Sequence, residues 1–357
     1  MELRGPRAYL LALWLGGLAL CIQGSPGAQD PGEHPLELKD VFAQFQARYN
    51  RSYANAAEHT RRLDIFARNL ARAQKLQEAA LGTAKFGVTP FSDLTEEEFG
   101  HLYGQPKPTA GIPNFNTKVV ATEWGASVPL SCDWKKAGVI SPIRSQGQYQ
   151  CCWAIAAAGN IEALWNIAGG EKVQVSVQEL IDCDRCKEEK SGYVWDAFLT
   201  VLREGGLASE QDYPFQGDHE RYKCQATKYR KVAWIHDFTM VPRDEQVMAG
   251  YLAAHGPITV LINSKLLQHY KSGVIKASDS DCDPQQLNHW VLLVGFGSVR
   301  DPEGTAYWLV KNSWGHHWGE KGYFRLHRGS NTCGVTKFPF TALVKAPNGK
   351  RPGPCPA

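Results

Sequence analysis

No cysteine lies between residues 22 and 131. Disulfides therefore cannot brace that stretch, although cysteines crowd the rest of the chain. Charge of one sign is not in excess either: 39 basic against 36 acidic residues leave a formal net charge of +3. No basic block dominates, which argues against a dedicated nucleic-acid binder. Beyond residue 22 no run is long and apolar enough to cross a bilayer, so no membrane span is expected in the mature form.

What is present bounds the answer further. The 357 residues are 43% hydrophobic and include 11 tryptophans, enough for one large domain with a sizeable core and something smaller beside it. Arg4 and Arg7 precede an apolar run from Leu10 to Ile22, and small or polar residues follow from Gly24 to Gln29. This reads as a secretory signal peptide over residues 1–24, with a signal anchor as the alternative. A secretory route permits disulfides. Cys21 belongs to the signal; Cys132, Cys151, Cys152, Cys183, Cys186, Cys224, Cys282, Cys333 and Cys355 remain. Their number is odd, so at least one thiol is left over in the expected monomer.

Residues 35–80 read as two amphipathic helices. In the second, Glu58, Arg62, Phe66, Asn69, Ala73 and Gln77 recur at steps of three and four and share one stripe, and Glu58 precedes Arg62 in the favourable order for an ion pair. The same spacing would suit any surface helix with one packed face. Residues 104–127, with Pro106, Pro108 and Pro113, read as an exposed linker open to processing, and the mature chain is expected to begin near Val128. Asn50-Arg51-Ser52 is a glycosylation acceptor sequence.

Three positions carry the chemistry. Cys152 heads an alanine-rich helical run to Trp165, and a thiol at a helix N-terminus gains from the positive end of the dipole, which favours the nucleophilic thiolate. His289 opens an apolar, strand-like run to Gly297 and is a candidate base. Asn312 follows the strand-like Ala306–Val310 and is a candidate for orienting the imidazole, with Trp314 shielding that hydrogen bond. Each alone has an ordinary structural reading: a buried cysteine, a packed histidine, a turn. Together their order fits a thiol protease. The cysteine–histidine separation falls within the roughly 130–150 residues expected for papain-type enzymes, and that to the asparagine a little beyond.

Here the chain resembles the papain family of cysteine proteases, cathepsins among them. The helical stripe is similar to the E-R-F-N-A-Q signature of cathepsin propeptides, and Gly87–Asp93 to the G-x-N-x-F-x-D element, with Thr89 where asparagine is usual. Gln146-Gly147 and Cys152-Trp153-Ala154 resemble the nucleophile loop, and Asn312-Ser313-Trp314-Gly315 the asparagine segment. The resemblance implies a papain-like α+β fold: a helical left domain carrying Cys152, a β-barrel-like right domain carrying His289 and Asn312, and the site in the cleft. It implies that Gln146 helps hold the oxyanion, and that Gly192, Val194, Leu261, Trp290, Trp314 and Phe338 contact substrate. It also implies disulfides Cys183–Cys224 and Cys282–Cys333. Cys132 and Cys355 receive no partner from it. The expected division is residues 1–24 signal, 25–127 inhibitory propeptide and linker, 128–345 peptidase, and 346–357 a proline-rich tail read as a disordered end. Partners are protein or peptide substrates and the chain's own propeptide. No metal or other cofactor is called for, since the C-x-x-C at Cys183 and Cys186 lacks a second ligand pair. Lysosome, endoplasmic reticulum lumen and secretion are all open. The alternative is a papain-fold protein with weak or no activity, kept for binding.

Two departures stand out. Tyr149 occupies the place of the family's first structural cysteine, and Glu189-Lys190-Ser191-Gly192 lacks its partner. Such a loop bridge contributes about 2–4 kcal/mol, so compensation is expected, with Cys151 and Cys186 candidates for a substitute bridge. Trp290 stands where many members have a small residue, which predicts a shallow or filled pocket that rejects bulky side chains at the second residue before the cleaved bond.

Overall fold

The computed structural model describes residues 37–105, 128–184, 192–217, 223–300, 304–345 and 353–357. The expected signal peptide, most of the linker, Cys186 and the first part of the tail lie outside the described residues. The chain divides into two units, one ending at Ala67 and one beginning at Arg68.

In the first unit, α1 (Leu38–Tyr49) ends at Asn50, which adopts the left-handed conformation. Phe42 and Phe45 are buried and pack on Phe66, with ring centroids 5.2 and 5.0 Å away. Phe66 belongs to α2 (Ala56–Glu78), where Glu58 and Arg62 form the ion pair anticipated from their spacing, at 2.6 Å.

The second unit mixes helices with one large sheet. Its helices are α3 (Glu96–Tyr103), α4 (Cys152–Ile167), α5 (Val177–Cys183), α6 (Val194–Glu204) and α7 (Glu245–His255). The strands are β1 (Lys85–Phe86), β2 (Cys132–Asp133), β3 (Asp237–Met240), β4 (Ile258–Ile262), β5 (Tyr270–Ser272), β6 (Val274–Ile275), β7 (His289–Ser298), β8 (Ala306–Lys311), β9 (Tyr323–His327) and β10 (Phe340–Leu343). The sheet order is β3-β10-β4-β7-β8-β9-β6, with β2 joined to β7, while β1 pairs with β5. The expected barrel-like closure is not seen among the described residues: β3 pairs with β10 and β6 with β9, leaving an open sheet.

Strand β7 is central to the sheet. It is buried from His289 through Gly297, which explains a nearly unbroken apolar run in place of alternation. Helix α4 packs beside it. Small residues on α4 allow the close approach: a Cβ built on Gly159 would stand 3.4 Å from Leu292. Asn160, fully buried on α4, donates to Pro257 O and accepts from Ala342 N–H, which ties the helix to the sheet by polar contacts.

Three disulfides are present among the described residues: Cys183–Cys224, Cys282–Cys333 and Cys132–Cys355. The last joins two cysteines to which the sequence assigned no partner. It fixes the end of the tail against β2, where Asp133 N–H also donates to Pro356 O at 2.7 Å. A covalent link and a backbone hydrogen bond thus hold the described end of the tail, residues 353–357.

Candidate active site

Cys152 is the first residue of α4, preceded by Cys151 in the capping position with no side-chain cap. None of the three disulfides uses either thiol. Trp290 N–H donates to Cys152 Sγ at 3.5 Å, which brings the head of the helix to the start of β7, one residue from His289. His289 is fully buried, and its Nε2 lies 2.7 Å from Asn312 Oδ1. The same oxygen accepts Ser313 N–H at 2.8 Å. Because that oxygen can only accept, the imidazole proton sits on Nε2 and Nδ1 is the basic nitrogen. Nδ1 is buried and has no hydrogen-bond partner among the described residues. Burial pushes His289 down to about 4, against the Asn312 bond, which favours the charged ring.

Trp314 stacks on His289 with centroids 4.6 Å apart and planes 24° apart. The indole lies against the face of the same imidazole that Asn312 holds. Behind it lie Phe91, Phe99 and Tyr103, with centroids 5.2, 5.4 and 6.0 Å from its ring.

Gln146 reaches the site on a loop fastened to both sides. Its backbone N–H donates to Ser313 O at 2.8 Å, and its Oε1 accepts from Ser313 Oγ at 2.7 Å. Arg144 in the same loop grips Glu162 of α4 with two nitrogens, at 2.6 and 3.1 Å, and its carbonyl accepts Gly315 N–H. Gln146 Nε2 donates to Tyr149 O at 2.8 Å, which leaves the second N–H of that amide for another acceptor.

Where the resemblance implies a bridged cysteine, the loop carries Tyr149, whose ring is packed. The Tyr149 ring meets Phe215 edge-on at 5.9 Å. It also sits in a notch that Gly217 keeps open: a Cβ there would fall 2.5 Å from Tyr149 Cζ, and Gly217 has φ +104°. The candidate compensation, a bridge from Cys151, needs Cys186, which lies outside the described residues.

Of the expected substrate contacts, Gly192, Val194, Leu261, Trp290 and Phe338 lie together, while Trp314 lies apart from them against His289. Trp290 and Leu261 are paired across β7 and β4. Val194 and Leu261 are buried, and Phe338 lies 6.5 Å from the Trp290 ring. Gly192 O accepts from Trp290 Nε1 at 2.8 Å, a contact that no sequence pattern announced.

A segment from before Val128 occupies this groove. Gln105 N–H donates to Asn288 O at 2.6 Å on the sheet side, and Gln105 Nε2 to Gln150 O at 3.1 Å on the helix side. Gln150 Nε2 returns a bond to His101 O at 2.7 Å. Stripe residues support it: Asn69 Nδ2 donates to Ser92 O and Leu94 O, and Gln77 bonds Ala84 O and Phe86 N–H. Thr89, in the usual place of asparagine, donates to Gln268 O at 2.5 Å. Beneath this cover lies His269. Both of its ring nitrogens are buried with no hydrogen-bond partner among the described residues. Burial pushes it to about 4, with Arg72 acting the same way and Glu96 opposing; Lys265 pairs with Glu96 at 2.9 Å.

A chain that lays its own segment across a cysteine, histidine and asparagine cluster has the form of an inhibited thiol protease, and comparison decides the family. Residues 128–343 match the papain family cysteine protease domain, and residues 42–99 the cathepsin propeptide inhibitor domain. The chain belongs to the papain family of cysteine proteases. It is 58% identical to cathepsin W of Mus musculus over 100% of both chains, and 56% identical to cathepsin W of Felis catus over 97% of each. By contrast, it is 37% identical to cathepsin F of Mus musculus, over 88% of this chain and 67% of that one, and its paired Cys151-Cys152, helical stripe and proline-rich tail resemble cathepsin W more than cathepsin F. The structure of procathepsin L2 proteinase from Tenebrio molitor larval midgut aligns with TM-score 0.76 and 30% identity, covering 86% of this chain and 100% of that one. This papain-family chain is a protease precursor, activated by removal of its propeptide.

Proposed function

We propose that Cys152 is the nucleophile, His289 the acid and base, Asn312 its orienting partner and Gln146 an oxyanion donor. The observation that carries this reading is the Trp290 N–H bond to Cys152 Sγ, beside a histidine whose other side is held by Asn312. The Cys152 thiol gives its proton to His289 Nδ1, and the sulfur attacks the scissile carbonyl. Negative charge on the carbonyl oxygen is met by the Cys152 backbone N–H and the Gln146 amide. His289 then protonates the leaving amine as the C–N bond breaks, leaving a thioester on Cys152. Water, deprotonated by His289, hydrolyses the thioester and restores the thiol.

Within this reading the chain is handled as a signal over residues 1–24, an inhibitory propeptide and linker over 25–127, a peptidase over 128–345 and a tail over 346–357. Its substrates are proteins or peptides, it acts as a monomer without nucleic acid, and it works in the secretory pathway. Asn50 is exposed at the end of α1, a position suited to glycan attachment. The contacts of Trp314, Val194, Leu261, Phe338, Gly192 and Trp290 support a substrate groove along the same cleft.

The test is labelling with an epoxide or vinyl-sulfone probe before and after propeptide removal, with Cys152→Ala as control. Label confined to the processed wild-type chain supports the proposal. Absence of label from the processed wild type would leave the binding reading in its place.

A further inference from the structure

We infer that Trp290 is a resident plug and latch: its indole fills the pocket for the substrate side chain second before the cleaved bond and holds Gly192 across the cleft, so that the enzyme takes peptides with a small residue there. The inference rests on the proposed protease reading and names its substrate class.

Successive residues on a strand face opposite ways. On β7, His289 turns to Asn312, so Trp290 turns to the other side, toward Val194 and Phe338. There it is 1% exposed. Its ring meets Trp195 edge-on at 6.0 Å and Phe338 at 6.5 Å. A ring this enclosed leaves a large guest no room beside it, and overfilling a packed site displaces side chains or backbone.

The indole nitrogen adds a second restraint. Trp290 Nε1 donates to Gly192 O at 2.8 Å. The chain's own extended segment passes Gly192 closely: a Cβ built there would stand 2.8 Å from the Gln105 amide atoms. Gly192 therefore borders the track of a bound peptide, and its carbonyl already has a donor from within the enzyme. For a bulky side chain to enter, the indole must leave, and the Gly192 carbonyl loses that bond while the cleft is being covered. Glycine, alanine or serine at that position makes no such demand.

The same residue also donates its backbone N–H to Cys152 Sγ. Trp290 thus both fills the pocket and bonds the thiol of Cys152, so displacement of the ring by a large guest disturbs the thiol as well as the pocket wall. Rejection is then expected in turnover as well as in binding.

The experiment uses the full chain with its propeptide removed and two fluorogenic peptides that differ at this one residue, alanine or phenylalanine. Epoxide titration counts working thiols in wild type, Trp290→Ala and Trp290→Leu. Wild type should cleave the alanine peptide and reject the other. The phenylalanine-to-alanine ratio of kcat/KM should rise stepwise as residue 290 shrinks, by about 100-fold or more for Trp290→Ala. If Trp290→Ala fails to fold, Trp290→Leu carries the test with an intermediate rise. A flat ratio among fully titrated enzymes overturns the plug and leaves the protease reading standing. A wild type that neither titrates nor cleaves removes the protease reading, and the plug with it.

Discussion

Two regions of this molecule bury a histidine a short way apart in sequence, one at the end of a 3-10 helix and one at the start of β7, and they differ in the partners they give the ring. His269 and His289 are both almost wholly enclosed, and burial pushes both to about 4. His289 has one nitrogen fixed by Asn312, its face covered by Trp314, and a neighbour bonded to Cys152 Sγ. His269 has no hydrogen bond from either ring nitrogen among the described residues, and its charged neighbours Arg72 and Glu96 come from the covering segment. On the proposed reading of His289, depressed basicity therefore does not distinguish a catalytic imidazole from a merely enclosed one. The orienting partner does, because it fixes which nitrogen is basic and where it points.

The sharpest way to break this comparison is to remove each ring in turn. His289→Ala should lower kcat/KM of the processed enzyme by about 10⁴-fold or more, as loss of a member of a concerted set does. His269→Ala should leave it within roughly threefold. Equal losses, read with one fluorogenic peptide, would erase the distinction. Gln146→Ala comes next: loss of one oxyanion donor should cost about 10²–10³ in kcat, and an unchanged kcat would remove it from the chemistry.

The third prediction concerns acid. His269 lies at about 4 when folded, below the 6.5 of a free imidazole. The unfolded chain therefore binds more protons between those values. Stability from this site is fully present above pH 6.5 and is lost as pH falls toward 4. The full loss is about 3 kcal/mol. His289 acts in the same direction, so the quantity to read is the difference between wild type and His269→Gln. Urea midpoints of the proenzyme at pH 7 and 4.5 should converge in the variant relative to wild type. Equal convergence in both would show that His269 does not contribute. The smallest effect falls on the rebuilt loop. Tyr149→Ala should lower stability by about 2 kcal/mol in urea denaturation, the ring being only partly buried, while kcat changes less than in Gln146→Ala. A kcat loss as large as that of Gln146→Ala would mean the ring positions the nucleophile loop directly.

How much of this was legible in the sequence follows from how local each signal is. The cysteine heading an alanine-rich helix, the histidine opening an apolar strand and the asparagine ending another are each written in a few adjacent residues. The α2 stripe is readable for another reason, its repeat within one helix, and its Asn69 and Gln77 bond Ser92, Leu94, Ala84 and Phe86. The seat of Tyr149 depends on Phe215 and Gly217, which no local pattern links to it. The Trp290–Gly192 bond crosses from a strand to the start of α6, and its donor was visible only as an unusually large neighbour of His289. The Cys132–Cys355 pair spans 223 positions, and spacing does not encode connectivity at that range. Sheet closure depends on which edge strands meet, and that is fixed by the whole set of pairings.

That long-range pair has a consequence for damage. Cys132 and Cys355 enclose nearly all of the peptidase region within one covalent ring. A single backbone cut inside the ring cannot part the two fragments until a reductant opens it. In a compartment rich in hydrolases, a nicked molecule would keep its halves in register and migrate as one species on a non-reducing gel.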